Sequence, residues 1–267
     1  MKNKIMVIPR IAWRCLVGVC CALWAGSCVA LGQTDFELPT DLEEPVVELA
    51  YQGGAYARWV GDDSAVMLQI FADGRVIAGG YAPHVPACTW EISQRELQAF
   101  YRELTEDLSV FAIDSQRIRQ QLGERTEHTT VGDAPTTVVR VRSVNQVHVI
   151  SLHGAAFFAR EFPDIEGLAQ FQQVESKLRW IAAVATIGGF QELDGILKEI
   201  RAYGEQVQLD LPPLKREDVS SAARLNDGAL TVIVRCELPQ EDDTTPRQMT
   251  FSYRRSNNET TIHHTGR

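Results

Sequence analysis

Six histidines, two aspartates in turn-like contexts and two cysteines beyond residue 32 are the side chains most able to do chemistry here. A catalytic metal would need ligands at a characteristic spacing, and neither Cys-x-x-Cys nor His-Glu-x-x-His occurs. His148 and His153 stand five positions apart, an odd spacing, so on a strand they point to opposite faces; the adjacent His263 and His264 diverge in the same way. His84 and His128 stand alone. A serine hydrolase would be announced by Gly-x-Ser-x-Gly, which is absent. Asp73 precedes Gly74, and Asp133 precedes Ala134-Pro135, contexts in which Asp satisfies turn backbone. No catalytic, cofactor-binding or metal-binding residue is therefore assigned.

Two further groups have a chemical reading. Cys88 and Cys236 are the cysteines left outside the first 32 residues, and in an oxidising compartment they could pair. That bond would close a loop of nearly 150 residues, for which chain entropy gives about 5 kcal/mol. The alternative is two separate thiols, Cys88 in a loop and Cys236 in a strand. Tyr51, Tyr56, Trp59, Tyr81 and Trp90 lie in or beside two Gly- and Pro-containing stretches, 51–61 and 79–90. Aromatics on loops can form a recognition surface for a sugar or peptide; they also seal the edges of a core.

The start of the chain sets where such chemistry would act. Lys2, Lys4, Arg10 and Arg14 precede seventeen uncharged residues, Cys15 to Leu31, ending in small side chains. This is the layout of an export signal over 1–32, and the run is short for a helix crossing about 30 Å of hydrocarbon. Leu23-Trp24-Ala25-Gly26-Ser27-Cys28 also approaches a lipoprotein signal, which would make Cys28 a lipidation site and tether the protein to a membrane. Ala25 departs from that pattern. The expected location is thus the periplasm or the extracellular side.

Charge narrows the partners. The chain carries 26 basic and 35 acidic residues; without the four basic residues of the leader the formal balance becomes −13. No Lys/Arg cluster longer than a pair is present, so nucleic acid is excluded as a partner. The acidity serves solubility.

About 235 remaining residues, from a chain 45% apolar, suffice for a substantial core. Residues 33–45 read as an acidic linker and 256–267 as a polar tail. Between them, 46–187 form a hairpin and helix module, and 188–255 form a helix with a C-terminal hairpin. Strands are expected at 46–49 and 66–71, with Asp73-Gly74 turning the latter onto 75–77. Ser93 to Glu96 is a capping box opening a helix whose apolar face runs from Leu97 to Phe111. A second hairpin occupies 136–152, turning at Val144-Asn145-Gln146. Leu168 to Ala185 and Phe190 to Tyr203 are amphipathic helices separated by Gly188-Gly189. Strands follow at 229–236 and 249–253, with a weak one at 260–264. Hairpins alternating with helices predict an α+β fold, with antiparallel hairpins packed against amphipathic helices.

The order Val46-Val47-Glu48-Leu49-Ala50-Tyr51-Gln52-Gly53-Gly54, then Phe71-Ala72-Asp73-Gly74-Arg75-Val76, then Asp133-Ala134-Pro135-Thr136-Thr137-Val138 resembles a group of exported bacterial proteins and lipoproteins without an assigned activity. The closing Val234-Arg235-Cys236-Glu237-Leu238-Pro239 is similar to an ending found in some members. The resemblance implies location and fold style and lends no catalytic residue. The expected role is a binding or interaction module engaging an envelope protein or a small ligand, with the membrane reached only through a lipid anchor. A hydrolase-like enzyme with a loop-assembled site and a structural envelope component are the alternatives.

Overall fold

Two antiparallel sheets, each covered by helices, share one long helix. The computed structural model describes residues 37–54, 64–79, 86–125, 131–238, 248–257 and 259–266. Four strands come first: β1 (Val47–Gln52), β2 (Ser64–Ile70), β3 (Arg75–Ala78) and β4 (Cys88–Glu91). Helix α1 (Gln94–Arg102) continues into a π turn, Glu103–Asp107, and α2 (Ser115–Arg125) follows. Then come β5 (Thr136–Arg142), β6 (Val147–His153), α3 (Ala155–Glu161), α4 (Leu168–Ile187) and α5 (Phe190–Gln206). The chain ends with β7 (Val219–Arg224), β8 (Leu230–Glu237), β9 (Gln248–Ser256) and β10 (Glu259–Gly266). The first sheet has the order β4-β3-β2-β1-β5-β6 and the second β10-β9-β8-β7, with every pairing antiparallel. The fold is α+β.

Local chemistry explains the well-formed elements. Asp73 accepts a hydrogen bond from the Arg75 backbone N–H at 3.0 Å, closing the β2–β3 turn. Gly74 there has φ +94°, and a Cβ would overlap the Ile92 carbonyl oxygen. Ser93 and Glu96 form the reciprocal capping box at the start of α1.

The apolar sequence of α4 explains its position. Its C-terminal part, Ile181 to Ile187, is buried on all sides, which a helix adopts when it lies within a core rather than on one. Ile181, Ala182 and Ala185 belong to the core of the first sheet, while Ala183, Val184 and Ile187 belong to that of the second. Arg224 of β7 donates to the carbonyls of Thr186 and Ile187, satisfying acceptors that the helix end leaves open.

Several expectations are corrected. The apolar face from Leu97 to Phe111 is not one helix: the π turn adds a residue per turn and Ser109, at φ +44°, ends it, keeping Leu104 in the core. Cys88, read from the sequence as a loop residue, instead begins β4, which pairs with β3. The weak strand expected at 260–264 is present and longer, since β10 pairs with β9 from Glu259 to Gly266, so this stretch is not a frayed polar tail. Residues 37–45, expected to be linker, are tied down: Val144 N–H donates to the Glu37 carbonyl, and Arg142 pairs with Asp41 and Glu44. Helices α2 and α3 and strand β7 had not been expected.

Candidate functional site

The segments singled out in the sequence meet at one end of the first sheet. In register, Tyr51 stands opposite Ala65 on β2 and Thr137 on β5, and Gln52 stands opposite Thr136. The backbone of 133–135 then passes so close to Gly54 that an added Cβ would lie 2.7 Å from the Asp133 carbonyl oxygen. Gly54 at φ +67° and Asp133 at φ +59° both hold the left-handed conformation this crossing requires. At the far side Gly154, φ +59°, turns β6 into α3 and brings Phe157 round.

Helix α4 closes the space. Tyr51, Met67, Pro135, Phe157, Glu175 and Arg179 line a cleft of about 330 Å³. The Tyr51 hydroxyl donates to Glu175 Oε1 at 2.7 Å, 124 residues away in sequence. Glu175 is only 6% exposed. A buried carboxyl group costs free energy unless its oxygens are engaged. Among the described residues Tyr51 alone hydrogen-bonds Glu175, which lines the cleft; the second carboxyl oxygen has no partner there. Arg179, one helical turn on, also lines the cleft, is exposed, and forms no ion pair or hydrogen bond among the described residues.

Sequence reasoning found Tyr51 but missed Glu175 and Arg179. The signal was present: Glu175 follows Phe171 by four positions and precedes Leu178 by three, so it falls on the apolar stripe of α4.

The other candidate residues are dispersed. Trp90 is half-buried in β4, away from the cleft. It packs edge-on against Phe190, with ring centroids 5.1 Å apart, and lies where a Cβ on Gly189 would come within 2.5 Å of its Nε1. Trp180 completes this aromatic seam between the cores, 5.8 Å from Phe190, with Lys177 over its ring. Tyr56, Trp59, Tyr81, His84, His128 and Cys28 lie outside the described residues.

Cys88 and Cys236 are not bonded: each is a free thiol on a different sheet, and both are in strands. Burial pushes the Cys236 thiol above its ordinary pKa, with Asp218 adding to the effect. His148 reaches the Ile113 carbonyl and His153 the Val131 carbonyl. His264 contacts the Tyr203 hydroxyl, while its neighbour His263 is exposed. Among the described residues, no three His, Cys, Asp or Glu side chains gather to hold a metal ion. No described helix is long and apolar enough to cross a membrane.

No family model, curated protein or solved structure matches this chain. The walls of the cleft are apolar, from Met67, Pro135 and Phe157, with an acidic group at depth and a basic one nearby. Small-molecule sites have this general make-up: an apolar lining with a few convergent polar groups.

Proposed function

We propose that this protein is an exported binding module that takes a small ligand in the Tyr51–Glu175 cleft. The observation that carries the reading is the buried Glu175 carboxyl group, hydrogen-bonded by Tyr51 alone among the described residues and set in the wall of a largely apolar cleft. Folding gains little from burying a carboxyl group with one partner, so its placement suits recognition better than stability. Export is supported by the basic then apolar leader sequence.

Two experiments test this reading. Protein purified natively from its own cell envelope should release a small molecule on denaturation that mass spectrometry detects. An Ala156→Trp variant, whose exposed alanine lines the cleft, should release none. Equal recovery from both proteins, or recovery from neither, rejects the cleft. For export, the intact mass should show the leader removed, and persistence of Met1 in the exported form contradicts it.

A second reading has its own observation. Val144, Val147 and Val149, at 53%, 56% and 46% exposed, cluster on the β5–β6 hairpin, and β6 is the last strand of its sheet. An apolar edge strand is a template for strand addition by a protein partner. A photo-crosslinker at Val149 should then capture an envelope protein, and no adduct above background removes this reading.

A further inference from the structure

The wall of the cleft formed by α4 carries an acid and a base that do not satisfy one another. Glu175 and Arg179 are spaced i, i+4, with Glu on the N-terminal side, the arrangement that favours an ion pair on a helix. Yet no Glu175–Arg179 ion pair forms among the described residues: Tyr51 holds Glu175 Oε1, the other carboxyl oxygen has no partner, and Arg179 is unengaged, while both residues line the cleft. Some exposed arginines take carboxylate partners, Arg216 with Asp194 and Arg125 with Asp164, each at 2.6 Å, while Arg95, Arg102, Arg140, Arg201 and Arg235 have none among the described residues; what sets Arg179 apart is its place on the cleft beside Glu175. The cleft thus presents one negative and one positive group a single helical turn apart, beside apolar surface from Met67, Pro135 and Phe157.

Resting on the binding reading above, we propose that the ligand is a small apolar zwitterion of the amino-acid class. Its ammonium group binds the free oxygen of Glu175, its carboxylate binds the Arg179 guanidinium, and its side chain lies against Met67 and Phe157. A guanidinium accepts a carboxylate through two parallel hydrogen bonds, which suits Arg179 to that end of the ligand. A purely cationic ligand would leave Arg179 unused, and a purely anionic one would face the Glu175 carboxylate. A cleft of about 330 Å³ is at the small end of the range for ligand sites and holds a free amino acid or a dipeptide.

Isothermal titration calorimetry of the mature protein tests this, with L-phenylalanine and L-leucyl-L-leucine as the free and peptide forms. Each is compared with its N-acetyl derivative, which lacks the ammonium, and its C-terminal amide, which lacks the carboxylate. Because these changes are made in the ligand, they cannot unfold the protein. Loss of either charged hydrogen bond should weaken binding roughly ten- to a hundredfold. Glu175→Gln should reproduce the effect of N-acetylation, and Arg179→Ala that of amidation. The tighter of the two parent probes identifies the free or peptide source. If blocked derivatives bind as well as their parents and Ala156→Trp abolishes binding of both, the zwitterion proposal is overturned while the cleft reading stands. If no probe binds but native protein still yields a cleft-dependent small molecule, the zwitterion proposal again fails alone. Binding that Ala156→Trp leaves unchanged overturns both.

Discussion

Each sheet sends a tyrosine hydroxyl across its core to a glutamate on a packing helix, but the two glutamates differ in their surroundings. In the second sheet Tyr253 of β9 donates to Glu199 of α5 at 2.9 Å, and Glu199 is exposed to water. In the first, Tyr51 of β1 donates to Glu175 of α4 at 2.7 Å, and Glu175 is buried beside a cleft. The shared bond shows that a strand tyrosine reaching a helix carboxylate is a way of docking helix on sheet. What differs is the burial of the carboxylate: Glu199 is exposed, whereas Glu175 is buried in the cleft wall. The second bond is explained by packing; the first is not explained by packing alone.

The largest test asks whether the two halves fold together. Phe171 and Phe251 are wholly buried, one in each core. Truncation of either to Ala should cost about 3–5 kcal/mol. Because α4 contributes to both cores, each variant should lower one cooperative urea transition monitored by circular dichroism. Two separated transitions would show that the sheets are independent units. Next, Tyr51→Phe leaves a buried carboxyl group without its donor and should cost about 1–3 kcal/mol, against about 0.5–1.5 kcal/mol for Tyr253→Phe, whose partner falls back on water. Equal costs would erase the contrast between the regions.

A smaller effect concerns the cap of α1. The Ser93 hydroxyl, then the Ser93 backbone N–H, hold the Glu96 carboxyl group below its usual pKa. A lowered folded-state value means stability present above the unfolded pKa and lost as pH falls through the folded one. Ser93→Ala should therefore cost about 1 kcal/mol at pH 7, and the difference from wild type should shrink below about pH 4. A cost independent of pH would contradict the capping box. Last, native protein without reductant should let a thiol reagent modify Cys88 faster than Cys236, which is 3% exposed. Denatured protein should give two labelled thiols; no labelling would mean a disulfide.

What the sequence disclosed follows the range of the forces involved. Asp73-Gly74 and the Ser93–Glu96 box act over three or four residues, so both could be read directly. Helix α4 was legible from its apolar steps from Phe171 to Ile181. Strand β7, Val219–Arg224, was not, because its Ser- and Ala-rich sequence has little strand preference and owes its conformation to pairing with β8. Helix α2 buries only Ile118 and Leu122, too few for a period to stand out, although Asp114 accepts bonds from the Gln116 and Arg117 amides and could have marked its start. The cleft was half legible. Tyr51 drew notice as an aromatic beside glycines, but its partner was hidden 124 residues away, where a lone Glu on an apolar stripe reads as an imperfection in a helix.

The most direct test of the cleft is to titrate L-phenylalanine by calorimetry into wild type, Glu175→Gln and Glu199→Gln, side by side. The structure predicts that wild type and Glu199→Gln bind alike, while Glu175→Gln binds roughly ten- to a hundredfold more weakly with its fold intact. Equal affinity in all three proteins would contradict the assignment of Glu175 as a ligand-binding group.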